Sequence, residues 1–198
     1  MPVSAFEGKN YIRDVLAKIH QTIPIKSVLD IGVGAGTYSN LFRASYPGKW
    51  IGVEIWEPYI EKYQLIKKYD EIHVGDARQM EFPEADYPTY NVCFLGDILE
   101  HMTPQEAIAL YNKGLDAAEF VFISIPIILY PQKTVEGNPY ETHIAPDWTH
   151  DKVVSTFCHI KSWYHGRVVG VYVGSKWHNL DIPKCERSGL FRRLFKLF

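Results

Sequence analysis

Residues 28–37 read Val28-Leu29-Asp30-Ile31-Gly32-Val33-Gly34-Ala35-Gly36-Thr37, an apolar run that opens into three alternating glycines. Glycines at that spacing let a backbone turn tightly and approach a ligand where a Cβ would clash. A helix starting at Thr37 would offer unpaired N–H groups to a carboxylate or phosphate. Three further acids follow short apolar runs: Glu54, Asp76 in Gly75-Asp76-Ala77-Arg78, and Asp97 in Gly96-Asp97-Ile98-Leu99-Glu100-His101. A carboxylate at Glu54 can accept both hydroxyls of a ribose. Acid–base chemistry has two candidates. One is His101; the other is His143, in Gly137-Asn138-Pro139-Tyr140-Glu141-Thr142-His143.

Those residues need elements to hold them. Residues 26–31, 50–54, 71–75, 90–95 and 120–125 read as five short strands, the fourth apolar enough to be buried on both faces. Helical spacing marks 8–20, with Tyr11, Ile12, Val15, Leu16 and Ile19 on one side, and 37–45, with Tyr38, Leu41, Phe42 and Ser45. A third helix starts at Pro58 and carries Tyr59, Ile60, Tyr63 and Ile66; a fourth runs from Pro104 to about Ala118. Alternating strands and helices imply right-handed crossovers and a mostly parallel sheet. After Pro126 the rhythm gives way to a long loop, 127–147, of the kind that is often functional. Thr149 is placed to cap a short helix, and 160–165 with 167–173 read as a hairpin at one edge of the sheet.

A dinucleotide and S-adenosylmethionine both suit such a glycine turn. The dinucleotide fingerprint needs a glycine at position 37, where threonine stands. The Asp-x-Gly-x-Gly-x-Gly spacing resembles motif I of the class I S-adenosylmethionine-dependent methyltransferases. Glu54, Asp76-Ala77 and Asp97-x-Leu-Glu-His look like that family's later motifs, in order, each at a strand's C-terminal end. The resemblance covers about residues 26–125 and extends plausibly to 173. It implies a Rossmann-like α/β fold: a mostly parallel seven-stranded sheet, a C-terminal antiparallel hairpin and helices on both faces. It implies S-adenosylmethionine as cofactor, with Asp30, Gly32, Gly34, Gly36, Glu54, Trp56, Asp76, Ala77, Gly96 and Asp97 around it. Within that set, Glu54 would take the ribose, Asp76 the adenine amino group, the next backbone N–H adenine N1, and Asp97-x-Leu-Glu-His the methionine end. Asp30 has a second reading, as a brace for the loop backbone, and Trp56 as a core residue.

The 137–143 stretch also resembles a segment of small methyltransferases that modify sugars. Tyr140, Glu141 and His143 would then grip a polyol, with His143 or His101 as general base. The expected reaction is O-methylation of a sugar-like or other small acceptor, including a glycan. Methylation of nucleic acid or protein, and cofactor binding without catalysis, are the alternatives. Strand four ends Leu95-Gly96-Asp97-Ile98, without the Asn-Pro-Pro-Tyr-like tetrad of exocyclic amine methylation. Glu141, His143, Asp147, His150 and Asp151 crowd together but lack a zinc motif's spacing, and no metal is expected there.

The chain has 198 residues with 21 Lys plus Arg against 23 Asp plus Glu. Its net charge of −2 argues against nucleic acid as partner. Within 184–198, however, five cations face one acid, so the rest is the more acidic. We expect a catalytic domain over 1–183 and a basic amphipathic tail over 184–198. The tail's Leu190, Phe191, Leu194, Phe195 and Leu197 would dock on the domain, on a second copy or on a membrane surface. Three dispersed cysteines, no leader pattern and no apolar run near ~20 residues point to the cytoplasm, with peripheral membrane contact open to the tail.

Overall fold

A computed structural model describes residues 6–81, 87–179 and 181–185. Helix α1 (Lys9–Thr22) leads into β1 (Ser27–Ile31), α2 (Thr37–Phe42), β2 (Lys49–Glu54), α3 (Pro58–Lys62) and β3 (Glu71–Val74). There follow β4 (Tyr90–Gly96), α4 (Pro104–Ala117), β5 (Ala118–Pro126), α5 (His150–Thr156), β6 (Ile160–His165) and β7 (Val169–Gly174). The seven strands lie in the order β3-β2-β1-β4-β5-β7-β6. Only β7 runs against its neighbours. The expected hairpin therefore closes the sheet with its second strand inserted between β5 and β6. The order reverses beside β1, so the C-terminal ends of β1 and β4 open a crevice, where open α/β sheets bind ligands.

Strand alternation builds two cores, one per face. Leu29, Ile31, Cys93, Leu95, Val121 and Ile123 pack with Leu110 and Tyr111 of α4 and Val153 of α5. Val28, Val92, Phe94, Phe120 and Phe122 pack on the other face with Ile12, Leu16 and Ile19 of α1, Phe42 of α2 and Tyr59 of α3. Helix α4 starts on a reciprocal cap: the Thr103 side chain accepts from the Glu106 N–H, and Glu106 accepts from the Thr103 N–H. Thr149 caps α5 by accepting from the Lys152 N–H.

Two helices are shorter than their spacing implies. Helix α2 stops at Phe42, leaving Ser45 exposed. Helix α3 stops at Lys62 because Gln64 takes a left-handed conformation, φ 52°. The next turn then buries Leu65, and Ile66 is 72% exposed.

The start of α1 is stapled across the molecule. The Glu7 carboxylate accepts from the backbone N–H groups of Arg167, Val168 and Val169, at 2.7, 2.9 and 2.8 Å. Two residues on, the Lys9 ammonium is buried beneath β4 and β5. Among the described residues no helix is long and apolar enough to cross a membrane. The expected tail lies outside the described residues from 186 onward.

Candidate active site

The loops after β1 to β5 surround one continuous cleft. Its apolar end is lined by Ile31, Val53, Ile55, Ala77, Met102 and Leu110. Its polar end holds Gly34, Glu54, Gly96, Asp97, Glu100, Glu141 and His143. Gly32, Ile98, His101 and Tyr140 border both. Most residues singled out from the sequence thus converge, although they come from five separate loops.

Three others stand behind the lining. Asp30 alternates with Leu29 and Ile31 and so faces the opposite side of the sheet, 1% exposed, where its Oδ2 accepts from the Tyr69 hydroxyl. Gly36 is the left-handed residue preceding α2. Trp56 packs into the core shared with α1 and tilts against Tyr140, ring centres 6.2 Å apart.

The lining residues are braced. Glu54 is 4% exposed, and its Oε2 accepts from the Gly34 N–H at 2.9 Å while Oε1 accepts from the Trp56 N–H at 2.8 Å. Burial raises its pKa against those bonds. Each oxygen keeps a second lone pair for a hydroxyl. Asp76 meets a partner that spacing did not reveal. Arg78 donates from Nε and Nη2 at 2.9 and 2.7 Å, and its Nη1 reaches Glu106 at 2.7 Å. The Arg78 hydrogen bonds hold the Asp76 carboxyl below its ordinary pKa. Asp97 turns the chain at φ 55°; its Oδ1 accepts from the Ser124 hydroxyl at 3.1 Å, and its buried Oδ2 has no hydrogen-bond donor.

Lys9 lies beneath Asp97, and sequence reasoning missed it. Its Nζ donates to the Tyr38 hydroxyl at 2.9 Å and to Ser124 Oγ at 3.4 Å, and lies 4.0 Å from Asp97 Oδ2. Burial alone would lower the pKa of this ammonium, but Tyr38, Asp97 and Asp30 around it leave it raised. The available signal was a lysine in step with the apolar stripe Ile12, Leu16 and Ile19.

The polar end gathers both histidines. The His101 and His143 rings meet edge to face, centres 4.7 Å apart. His101 Nδ1 lies 3.3 Å from the Thr142 carbonyl, and His143 Nδ1 lies against the Tyr130 carbonyl. Desolvation lowers both pKa values, which favours the neutral imidazoles. Glu100 joins them, 2% exposed. Glu141 accepts from the Tyr59 hydroxyl at 3.1 Å, and Gln132 Nε2 donates to the Glu141 carbonyl at 2.8 Å. Asn138 caps the turn that carries Tyr140 and Glu141, so the loop is a built structure. The other members of the sequence cluster disperse. Asp147 pairs with Lys152 at 3.0 Å, His150 bonds the Tyr172 hydroxyl at 3.0 Å, and Asp151 sits in the first turn of α5.

A family model described as a methyltransferase domain matches residues 28–116. That span runs from β1 into α4 and contains every brace of the glycine loop. The match makes residues 28–116 a methyltransferase domain, the reaction class that the sequence motifs imply. Solved structures agree at the level of the fold. The PH0226 protein from Pyrococcus horikoshii OT3 is similar at 16% identity, over 86% of this chain and 91% of its own, with a TM-score of 0.60. An S-adenosylmethionine-dependent methyltransferase from Clostridium acetobutylicum ATCC 824 gives 9% identity over 84% and 91%, TM-score 0.62. The N-terminal domain of EvdMO1, solved in the presence of SAH and D-fucose, gives 14% identity over 81% and 81%, TM-score 0.58. No curated protein sequence matches. The sequence resemblance implies S-adenosylmethionine as cofactor, and the matched methyltransferase domain agrees with it. The cleft suits that cofactor's charge: the buried Asp97 Oδ2 at the polar end lacks a hydrogen-bond donor, a place that an ammonium would fill.

Asp30 gives a pH signature. Burial pushes its carboxyl up to about 7 from 3.8, against the Tyr69 hydroxyl and the Lys9 ammonium. The folded chain therefore holds a proton here that the unfolded chain has lost, between pH 3.8 and about 7. Its contribution to stability falls as pH rises through that window. Asp30→Asn is expected to gain stability relative to the parent between pH 5 and pH 8 in urea unfolding. A difference that does not change with pH would reject the assignment.

Proposed function

We propose that this methyltransferase acts on a hydroxyl of a sugar-like or other small-molecule acceptor, which can be part of a glycan. The observation that carries the reading is the basic cluster Glu100, His101 and His143 on the same cleft as Gly32, Gly34, Glu54 and Asp97. A hydroxyl needs to lose its proton as it attacks, and two neutral imidazoles beside a carboxylate provide for that. Tyr140 and Glu141, on the same turn, are placed to hold further hydroxyls. The presence of D-fucose with the EvdMO1 domain lends support by analogy. A polyanionic acceptor is disfavoured, because the acids Glu54, Asp97 and Glu141 on the cleft would repel its phosphates.

In this reading Glu54 accepts the ribose hydroxyls, and the Gly32–Gly34 backbone lies beside the methionine. Asp97 faces the ammonium, and Asp76 with the Ala77 N–H faces adenine. Asp30, Gly36 and Trp56 act by supporting those residues. The bound cofactor supplies a methyl group already activated on sulfonium. The chain's task is to hold the acceptor oxygen in line with the S–CH3 bond, exclude competing water and remove the hydroxyl proton.

Incubation of the protein and methyl-labelled cofactor with a sugar or glycan extract is expected to give a labelled methyl ether. His143→Ala is expected to slow that labelling by about 100-fold or more, with cofactor affinity unchanged. Label found only on nitrogen or nucleic acid would overturn the acceptor class. Undiminished turnover in the variant would remove His143 from the chemistry.

A further inference from the structure

We propose that Glu100, His101 and His143 bind a divalent transition-metal ion at the acceptor end of the cleft. One candidate ligand atom from each lies within 4.8 Å of the other two. Bonds of about 2.1 Å to a common ion require those atoms to draw in to about 3–4 Å of one another. Three independent features support a cation.

The first is the setting of the rings. Each histidine presents Nδ1 to a backbone carbonyl, Thr142 for His101 and Tyr130 for His143. An Nδ1–H donated to a carbonyl fixes the tautomer and leaves the Nε2 lone pair free, as in most metal-bound histidines. The second is Glu100. It is 2% exposed, yet its Oε2 has no partner. A carboxylate buried that deeply is costly unless a cation meets it. The third is preorganisation. The Glu100 carbonyl accepts from the N–H groups of Ile144 and Ala145, at 2.9 and 3.0 Å. The loop that carries His143 is thereby pinned to the segment that carries Glu100 and His101.

Two nitrogens and one oxygen favour manganese, cobalt or zinc over calcium and magnesium, which prefer all-oxygen sites. Three protein ligands also leave a coordination position open, as catalytic sites do. Here the inference rests on the hydroxyl reading above: the open position takes the acceptor oxygen. With both imidazoles on the ion, the ion takes over the activation that free imidazoles would otherwise perform. It lowers the pKa of that hydroxyl, whose proton leaves to a water at the mouth of the cleft. The oxygen then forms its bond to the methyl carbon as the S–C bond breaks. That electron pair stays on sulfur, which leaves as a neutral thioether.

The test uses the full chain, free of any affinity tag and stripped with chelator. Manganese binding is followed by electron paramagnetic resonance and zinc binding by calorimetry, without cofactor or acceptor. The expected result is one ion per chain, weakened about 100-fold by Glu100→Gln, His101→Ala or His143→Ala and unchanged by Asp147→Asn. Circular dichroism confirms that each variant is folded, and the cobalt spectrum of the parent reports the ligand set if one is not. No stoichiometric ion, or one that survives the double histidine variant, would overturn the site. Methyl transfer that continues in chelator while the site is empty would overturn its catalytic role and leave the acceptor reading standing. A bound ion with no hydroxyl methylated would overturn the acceptor reading and leave the site.

Discussion

Gly32→Ala is expected to cost the protein most of its cofactor affinity while leaving it folded. Gly32 has φ 71°, a conformation that costs an L-residue with a side chain roughly 1–2 kcal/mol. Strain is the smaller part of the effect. A Cβ at this position would lie 2.2 Å from Cγ2 of Ile98, far inside van der Waals contact. Relief requires the loop or Ile98 to move, and both line the cleft. The loop is held on three sides: Gly32 N–H donates to the Val53 carbonyl at 2.8 Å, Gly34 N–H to Glu54, and Lys68 Nζ to the Ala35 carbonyl at 2.7 Å. Displacement therefore disturbs Glu54 as well. A loss of about 3 kcal/mol in binding, on the order of 100-fold, is the expected calorimetric result. Affinity within a factor of two or so of the parent would show that the loop does not approach the cofactor.

Lys9→Met is expected to give the largest loss of stability among single substitutions around the site. The side chain is 3% exposed and is the cation nearest Asp97 Oδ2. Removing one partner of a buried charged set typically costs about 3–5 kcal/mol, because the other charge stays buried. Methionine matches the shape of the stem, so packing loss is small and the charge is what is tested. The cost is expected to be larger at pH 8 than at pH 5, because Asp30, near Lys9, is neutral at the lower pH. Urea unfolding at both pH values measures it. A change below about 0.5 kcal/mol at both would mean that the ammonium contributes no net stabilisation.

The fold was legible because its signals are local and repeated. Period-two strands, glycine turns and first-turn prolines place β1 to β7 and α1 to α5 to within a few residues. The failures are equally physical. Helical spacing continued through Ile66, but a left-handed Gln64 reset the chain and buried Leu65 instead. Asp30 lies in the first motif, yet strand alternation turns its side chain to the face away from the cleft. Asp76 was visible as a strand-end acid, whereas its pairing with Arg78 and Glu106 depends on the start of α4, far along the chain. Glu100 was visible only as part of the Asp97-x-Leu-Glu-His segment; its burial beside His143, from another loop, is a tertiary fact. Lys9 was hidden because a charged residue at a helix start reads as solvated, and burial beneath β4 and β5 is a tertiary fact.

The central claim is that the cleft between Gly32, Glu54, Asp76 and Asp97 is where the cofactor binds. Calorimetric titration of the folded chain with S-adenosylhomocysteine, the product form, tests it most directly. Saturable binding of one equivalent per chain is expected, weakened about 100-fold in Gly32→Ala and sharply weakened in Glu54→Ala. Protein shown to be folded that takes up no ligand, or binds it equally well in both variants, would contradict it.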